Sequence, residues 1–441
     1  MSTLKVNKLR DTSGSTDAIT LDPNGGAVLA GVTTVSTVKV GSGVTISSDG
    51  DVFTTGVTTS STIKVGGGVT ISESGIEASG IGITCANING GQLAGRRNLI
   101  INGAMLISQR GPSQGSVTST GYYDAPDRWR FVGSNAGTWT VSQSTTSPNL
   151  FKNSYKFDCT TADTSLGAGD FLAFDQALEG YTVQGLGWGT SDAKPVTVSF
   201  YVRSSKTGTY TCELFQGNGG VGGSNILASK SYTISAADTW EFKTITFSGN
   251  TAVAFTNDNS RQLTLNLWLA AGSNFTGGTF SDGTFHNANN KRVASGQVNL
   301  ADSTSNEWYI TGVQLEVGSQ ATPYENRNYG EELALCKRYY QHIGRTQGIM
   351  MNGYNTNSVY GSYIWPVEFR TAPTNEYLIA AGATGCAIYG NNSAPTINST
   401  SWNYLASHMG QLYFGGSFTQ GASYHFDATP AAGFTSLSAE L

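Results

Sequence analysis

Residues 308–317 have the sequence WYITGVQLEV, whose second half alternates between apolar and polar side chains. This period of two is typical of a β-strand with one buried face. Other short runs rich in β-branched and aromatic residues lie at 196–202, 242–247 and 263–269. Loops rich in Gly, Ser and Asn separate these runs, and no helical pattern interrupts them. The pattern predicts an all-β fold, with a jelly-roll sandwich over residues 96–328.

The composition disfavours two broad classes of protein. Charged residues make up 12% of the 441 residues, about half the usual globular share of ~25%. Gly is abundant at 56 residues, whereas Pro is scarce at 10. Because Gly costs about 1 kcal/mol at a helical site, a mostly helical protein is disfavoured. The 20 Tyr, 19 Phe and 8 Trp supply enough apolar area for cores, so a disordered chain is disfavoured as well.

Charge and cysteine usage bear on partners and cofactors. The net charge is −5 and the chain has no basic tract, so no nucleic-acid partner is expected. No apolar run follows the first lysines, and no stretch approaches the ~18 apolar residues of a membrane span, so we predict neither a secretory signal nor a membrane helix. The five cysteines are widely spaced and form no CxxC motif, so we expect no metal site, no cofactor and no disulfide framework.

A repeat occupies residues 31–95. The sequence GVTT begins at Gly31 and again at Gly56, and GVTIS begins at Gly43 and again at Gly68, so both offsets are 25 residues. A single short copy cannot bury its own apolar face, so such repeats stack on neighbours or on other chains. We predict a β-repeat stalk in which three chains intertwine; the alternative is a decorated loop region.

A single short helix is predicted over residues 329–344. Asn328 is suited to the N-cap, Glu331 completes a capping box, and Gly344 can end the helix. A helix that is apolar on two sides needs more than one neighbour. We therefore expect sister helices around a threefold axis to cover both of its apolar stripes. One stripe consists of Tyr329, Leu333, Cys336 and Tyr340, and the other of Leu335 and Tyr339.

Residues 345–441 differ from the rest of the chain and predict a small third β domain. They contain eight tyrosines and two tryptophans but no lysine, and their only arginines are Arg345 and Arg370. Rigid rings beside small polar groups make adaptable binding surfaces, and such rings suit the apolar C–H faces of sugars. We predict a receptor site with Tyr354, Tyr389, Trp402 and Tyr404 as stacking platforms and with Asn355, Asn391 and Asn403 as hydrogen-bond partners. The competing site is in the middle module, through Trp129, Trp188 or Trp240.

Three stretches resemble bacteriophage tail-fibre sequences, especially those of marine cyanophages. The first is RNLIINGAM at 97–105, followed by SQRG at 108–111 and DRW at 127–129. The second is WYITGVQLEVG at 308–318, followed by ATPYE at 321–325 and YGEEL at 329–333. The third is SAEL at 438–441. The opening TLKVN at 3–7 also looks like a fibre N-terminus. The resemblance implies an elongated homotrimeric fibre, in which the jelly roll is similar to carbohydrate-binding modules and the helix lies on the axis.

The same resemblance implies a function and a location. The protein would be a structural tail-fibre protein, made in the host cytoplasm and located on the virion tail. Residues 345–441 would form the tip that recognises a host-surface polysaccharide or lipopolysaccharide. Residues 1–30 would attach the fibre to a tail adaptor or baseplate protein; they lack a strong periodic pattern, so we expect little structure in them until that partner binds.

The sequence offers little that is suited to catalysis. It contains no HExxH motif, no GxSxG elbow and no P-loop, so we predict no enzyme activity and no catalytic residue. The alternative is a tailspike-type polysaccharide depolymerase, which would need two carboxylates beside a groove. Asp124 with Asp127 and Asp170 with Asp175 are the pairs to examine. A non-viral adhesin is the third hypothesis, and the absence of a predicted secretory signal weighs against it.

The first prediction concerns assembly. Because the repeats cannot form a core of their own, we expect the purified full chain to be an obligate homotrimer. Light scattering coupled to size exclusion measures its mass directly. A monodisperse, folded monomer would contradict the prediction.

Overall fold

A computed structural model describes most of the chain after residue 95 and short segments before it. The described ranges are 8–9, 19–21, 27–29, 62–65, 69–72, 75–78, 96–121, 123, 125–217, 225–343, 349–378, 386–390, 395–428 and 435–441; before residue 96, and at 386, 387, 389, 427 and 428, the description covers the backbone only. The chain divides into two compact units, Met1–Thr84 and Cys85–Leu441.

The N-terminal unit contains two small antiparallel sheets. The strands are β1 (Lys8–Leu9), β2 (Ile19–Leu21), β3 (Ala27–Leu29), β4 (Thr62–Val65), β5 (Val69–Ser72) and β6 (Gly75–Ala78). Their orders are β1-β2-β3 and β4-β5-β6. The second sheet includes part of the second repeat copy, whereas the first copy lies outside the described residues. The expectation of little structure before residue 30 missed the first sheet: PNGG at 23–26, between two apolar runs, is a hairpin signal.

The central module consists of antiparallel strands with short helical turns between them. The strands are β7 (Ser113–Ser119), β8 (Arg130–Ser144), β9 (Ser154–Thr161), β10 (Phe171–Glu179), β11 (Val196–Ser204), β12 (Gly208–Gln216), β13 (Ile226–Ile234), β14 (Glu241–Phe247), β15 (Arg261–Ala271) and β16 (Glu307–Val317). The α-helical turns are α1 (Gly180–Val183) and α2 (Ser273–Thr276), and 3₁₀ turns lie at Gln184–Leu186, Asn289–Lys291 and Leu300–Asp302.

The long strand β8 belongs to both layers of the sandwich. Its first part pairs with β10 and its second part with β9. One layer therefore consists of the strands β13-β12-β15-β10-β8, in that order, and the other layer consists of β8-β9-β16-β11-β14. Between the two parts, Asn135 and Gly137 have positive φ angles of 49° and 76°. A Cβ atom on Gly137 would lie 2.5 Å from the carbonyl oxygen of Thr161, so the bend requires glycine. The prediction of an all-β fold with a sandwich is confirmed.

Aromatic rings fill the space between the two layers. Phe157, Phe174 and Trp308 come from three strands and meet with ring centroids 5.6 to 5.8 Å apart. All three side chains are buried. Strand β16 departs from the predicted half-buried pattern, because Gln314 and Glu316 on its polar face are also buried. Residues 320–325 cover that face and satisfy its polar groups: the Thr322 amide donates to the Glu316 carboxylate over 2.8 Å.

The predicted helix begins correctly but is shorter than expected. Helix α3 spans Tyr329–Lys337, and the Asn328 side chain accepts the amide of Glu331, so the N-cap prediction is confirmed. The prediction that the helix continues to residue 343 is wrong, because Tyr340–Ile343 form a strand that pairs with Thr435–Ser438. Gly344 lies outside the described residues. Side chains of β-branched and aromatic type at 340 and 343 suit a pleated surface better than a helix end.

The apolar side chains of helix α3 find neighbours within their own chain. Cys336 on the helix and Tyr339 just after it are buried in a cluster with Ile101 and Ile107, and Leu333 packs at the edge of this cluster. Tyr329 is 58% exposed. The expectation that sister helices cover both stripes is therefore wrong for the second half of the helix, since Ile101 in the RNLIING stretch and Ile107 just after it already cover it.

The C-terminal module contains two further sheets. The strands are β17 (Tyr340–Ile343), β18 (Ile349–Asn355), β19 (Ser358–Ile364), β20 (Thr374–Leu378), β21 (Cys386–Tyr389), β22 (Ile397–Leu405), β23 (Met409–Gly416), β24 (Ser423–Ala428) and β25 (Thr435–Ser438). The small sheet has the order β17-β25-β20, and the large sheet has the order β21-β24-β18-β19-β23-β22. A second apolar core, which includes Met351, Trp365, Leu412 and Phe426, lies on the inner side of the large sheet.

The last residues of the chain return to the central sandwich. The Glu440 carboxylate pairs with Arg128 and Arg110, which belong to the DRW and SQRG stretches. Arg370 donates to the carbonyl oxygens of residues 439 and 440, and Tyr123 donates to the carbonyl oxygen of Leu441 over 2.6 Å. Stretches that are far apart in sequence thus meet at one junction between the central and C-terminal modules.

The second prediction tests this junction. In Glu440→Ala, the guanidinium of Arg128, which is 1% exposed, loses its only carboxylate partner among the described residues. Removing one partner of a buried ion pair costs roughly 3–5 kcal/mol, so the free energy of unfolding should fall by that amount. Urea denaturation followed by tryptophan fluorescence measures the loss.

The matched control is Glu376→Ala. Glu376 pairs with Arg110 on the same junction, but its side chain is 40% exposed, and an exposed ion pair contributes about 0–1 kcal/mol. Equal losses of stability for the two variants would show that burial of Arg128 does not govern the junction.

Candidate functional site

The outer side of the large C-terminal sheet displays the alternate residues of its strands. On β18, Met350, Asn352 and Tyr354 are exposed, whereas Ile349 and Met351 are buried in the core. The alternation follows from the pleat, which sends successive side chains to opposite faces. Strand β18 is a central strand of this sheet, so its exposed residues lie in the middle of the outer surface.

Strand pairing brings further tyrosines and amides to the same surface. Tyr360 is the register partner of Asn352 on one side and of Tyr413 on the other. The ring of Tyr360 meets Tyr354 edge to face with centroids 5.5 Å apart, and it lies 5.4 Å from the ring of Tyr413. Two residues farther along, Ser362 pairs with Gln411. Edge-to-face contacts of this kind hold rings in fixed orientations.

An open depression lies over these residues, and we call its lining the tyrosine face. The tyrosine face consists of Met350, Asn352, Gly353, Tyr354, Tyr360, Gly361, Ser362, Asn403, Gln411, Gln420 and Gly421. The loop that carries Gln420 approaches closely at Gly353, where a Cβ atom would lie 2.3 Å from the carbonyl oxygen of Thr419. Glycine at this position is therefore required for the loop to border the depression.

A β-bulge on strand β22 places Asn403 on the tyrosine face. Trp402 pairs with Leu412 and Tyr404 with Gln411, so Asn403 is the extra residue between them. The Asn403 amide donates to the Gln411 side-chain oxygen over 2.7 Å. Tyr404, as the register partner of Gln411, lies beside the face with 55% of its side chain exposed.

The structure brings together only some of the residues that the sequence predicts for receptor binding. Tyr354, which is 68% exposed, and Asn403 line the tyrosine face, and Tyr404 lies beside it. Asn355 instead holds the β18–β19 turn, because its side-chain oxygen accepts the amide of Asn357 and the hydroxyl of Ser358.

Trp402 lies on the opposite side of the sheet from the tyrosine face. It faces buried Leu412 across the strand pair, and its ring centroid is 5.5 Å from that of Trp365 in the core. Its partly exposed edge borders a different depression, next to Ser399 and Leu405. Tyr389 lies on β21 opposite His425, and the structure describes only its backbone. Asn391 lies outside the described residues.

Sequence reasoning missed several members of the tyrosine face. Asn352, Tyr360, Ser362 and Gln411 were not among the predicted residues, although all line the depression. On β18, Met350, Asn352 and Tyr354 alternate with Ile349, Met351 and Gly353, and this period of two could have predicted that the first set shares one exposed face. Gln411 carries no such signal, since only the pairing of β23 with β19 places it there.

The tryptophans of the competing middle-module site are mostly unavailable. Trp129 is fully buried and donates to the carbonyl oxygen of Asn102, and Trp188 is 3% exposed and stacks on Phe255. Trp240 is partly buried, near Tyr309. A depression of about 390 Å³ does lie on the outer side of the sandwich layer that contains β10 and β15. Its lining consists of Val132, Phe171, Ala173, Asn266, Trp268, Phe275, Asn289 and Arg292.

The carboxylates proposed for catalysis are engaged in structural contacts. Arg130 binds Asp175 through two hydrogen bonds, and Asp175 is 2% exposed. Asp127 accepts the backbone and side-chain amides of Gln109; burial raises its pKa, against the opposing effects of Gln109 and Arg110. Asp170 accepts the amide of Gly167. Asp124 lies outside the described residues.

The described part of the chain offers neither a cluster of metal ligands nor a membrane-spanning helix. No group of three or more His, Cys, Asp or Glu side chains there is placed to hold a metal ion. No helix there is long and apolar enough to cross a membrane.

Comparison with known proteins finds likenesses among solved structures only. No family model matches the chain, and no curated protein matches it. The enzymatically active domain of tailspike protein 4 of bacteriophage CBA120 is 13% identical, with 50% of this chain and 21% of that chain covered and a TM-score of 0.26. This chain therefore spans about a fifth of the tailspike chain's length.

Carbohydrate-binding modules are also among the similar structures. A family 11 module from Clostridium thermocellum, in complex with a mixed-linked tetrasaccharide, is 11% identical, with 48% of this chain and 98% of that chain covered and a TM-score of 0.23. TmCBM61 in complex with beta-1,4-galactotriose is 12% identical, with 50% and 99% covered and a TM-score of 0.22. TM-scores this low do not establish a shared fold.

Proposed function

We propose that this chain is a tail-fibre protein that recognises a glycan on the surface of a host cell through the tyrosine face. The observation that carries the proposal is the combination of exposed rings and amide side chains in one open depression. Tyr354 and Tyr360 supply ring surface, and Asn352, Asn403 and Gln420 supply amides. A saccharide presents apolar C–H patches and a rim of hydroxyl groups, which match these two kinds of side chain.

The rings of the tyrosine face are held in place before any ligand binds. Tyr360 contacts Tyr354 on one side and Tyr413 on the other, and all three residues belong to paired strands or their ends. Rigid aromatic side chains lose little conformational entropy when they contact a ligand, and this favours binding. Small polar side chains around them adjust their hydrogen bonds to the ligand.

The assembly that we propose is a homotrimer on the virion tail, made in the host cytoplasm. Residues 1–30 would join a tail adaptor or baseplate protein, the repeats at 31–95 would form a shared stalk, and residues 345–441 would recognise a polysaccharide or lipopolysaccharide. The tail-fibre-like stretches support this reading. Three copies of a weak site raise the overall affinity through multivalency.

The proposal includes no catalytic step. A glycan-cleaving enzyme needs one carboxylic acid and one carboxylate that are both accessible to the glycosidic bond. On the outer side of the sandwich, Asp175 is held by Arg130 and Glu213 by Arg292, each through two hydrogen bonds. Carboxylates fixed in this way are suited to holding strands and loops together.

The third prediction concerns the tyrosine face. In the double variant Tyr354→Ala and Tyr404→Ala, loss of both rings should weaken glycan binding by about tenfold or more, which corresponds to at least ~1.4 kcal/mol. Binding is measured on an array of bacterial surface glycans and confirmed by calorimetry with the best ligand. Both side chains are more than half exposed, so the fold should remain intact.

The matched control for this experiment is Tyr377→Ala. Tyr377 is 43% exposed, lies on β20 in the other sheet of the same module, and does not line the tyrosine face. The Tyr377→Ala variant should bind the glycan as tightly as the intact chain does. Unchanged binding by the double variant would refute the proposed site and leave the depression on the sandwich as the candidate. Release of reducing ends from the bound glycan would favour the depolymerase.

The fourth prediction concerns attachment. A chain that begins at Gly31 should bind glycans as the full chain does but should be missing from purified virus particles, because the attachment segment has been removed. Immunoblots of particles carrying the truncated gene measure incorporation. Normal incorporation of the truncated chain would contradict the proposed role of residues 1–30.

A further inference from the structure

The tyrosine face contains no charged side chain. All eleven residues that line the depression are neutral: tyrosine, asparagine, glutamine, serine, methionine or glycine. The sequence explains part of this, since residues 345–441 contain no lysine and only two arginines. Arg370 is committed to the module junction, where it donates to carbonyl oxygens of residues 259, 439 and 440, and Arg345 lies outside the described residues.

The depression on the sandwich differs in this respect. Its lining includes Arg292, which binds the buried Glu213 through two hydrogen bonds and lies 4.9 Å from the ring centroid of Trp268. Nearby on the same layer, Arg130 pairs with Asp175. The tyrosine face shares its lack of charge with the depression beside Trp402, whose lining is also neutral, but not with the depression on the sandwich.

The polar groups on the tyrosine face are available to a ligand. The side chains of Asn352, Ser362 and Gln420 make no hydrogen bond to another described residue. An amide or hydroxyl side chain both donates and accepts, so it can pair with either role of a sugar hydroxyl. None of them can neutralise a carboxylate or a phosphate, and placing an ionised group against a surface without a counter-charge is unfavourable because water is lost from the charge.

We infer that the tyrosine face selects uncharged saccharides, that is, neutral hexose, deoxyhexose or N-acetylhexosamine units, and discriminates against uronate-containing and phosphorylated glycans. The inference rests on the proposed function and narrows it to one chemical class of receptor. The nearest histidine by register is His425, the strand partner of Met350, and it is not among the residues that line the depression.

The first experiment compares glycans at pH 8. The intact chain and the double variant Tyr354→Ala and Tyr404→Ala are applied to an array that holds neutral and anionic saccharides. The array includes polygalacturonate and its fully methyl-esterified form, in which a methyl ester replaces each negatively charged carboxylate on the same sugar backbone. We expect binding that depends on the two tyrosines to be confined to neutral saccharides. We also expect it to change less than twofold between 50 and 500 mM salt, since only charge–charge attraction is screened.

A second pair of variants tests charge at the centre of the face. Ser362 lies on β19 within the depression, so Ser362→Lys and Ser362→Asp introduce opposite charges at one position. For a neutral ligand, both variants should weaken binding to a similar extent, within about threefold of each other. For an anionic ligand, the lysine variant would bind more tightly than the aspartate variant by tenfold or more at low salt.

The outcomes separate this inference from the proposed function. Tyrosine-dependent binding to neutral saccharides, with equal effects of the Ser362 variants, supports both. Tyrosine-dependent binding to anionic glycans overturns the inference and leaves the proposed function standing. Failure to bind any glycan, or binding that does not depend on Tyr354 and Tyr404, overturns the proposed function and the inference with it.

Discussion

The guanidinium of Arg128 is buried in the protein, and Glu440 supplies the carboxylate that faces it. Burial alone would lower the pKa of Arg128, but the facing carboxylate keeps it raised and the charge in place. The same guanidinium donates to the carbonyl oxygen of Ala177 on the sandwich and lies 3.5 Å from the centroid of the Tyr339 ring. A charge held inside a protein requires a partner of opposite sign, so the end of the chain must lie at this position. That requirement positions the last strand, the small sheet and the module that carries the tyrosine face.

Buried and partly buried side chains in the stretches at 97–105 and 321–325 also hold distant segments together. They accept hydrogen bonds from backbone amides that no neighbouring strand pairs. Asn98 accepts the amides of Ile100 and Leu315, and Asn102 accepts those of Leu106 and Ile107. Glu325 accepts the amides of residues 97 and 98, and backbone hydrogen bonds of this kind lower its pKa even though partial burial opposes them. Unpaired buried amides are costly, so these side chains determine where the irregular segment before the first sandwich strand can lie.

The tyrosine face depends on this framework only indirectly, because its own shape comes from the pairing of β18, β19, β22 and β23. The inner residues of these strands form the second core, and the outer residues are left to solvent. A close loop approach at Gly353 and a bulge at Asn403 both add polar groups to the rim of the depression. A flat sheet surface thereby becomes a bordered site with tyrosine rings along it.

The sequence by itself determined the all-β class, the sandwich in the middle of the chain, the start of helix α3 and the position of the tyrosine-rich module, because these follow from local periodicity and composition. The end of helix α3 was decided by the pairing of residues 340–343 with a strand almost a hundred residues away. Local sequence also grouped Trp402 with Tyr404, because a regular pleat would place both side chains on one face, whereas the bulge at Asn403 directs them to opposite sides of the sheet. Trp129 and Trp188 looked like binding residues in sequence, yet packing buries both. Pairing partners, burial and the meeting of Arg128 with Glu440 are contacts between distant residues, and only the tertiary structure decides such contacts.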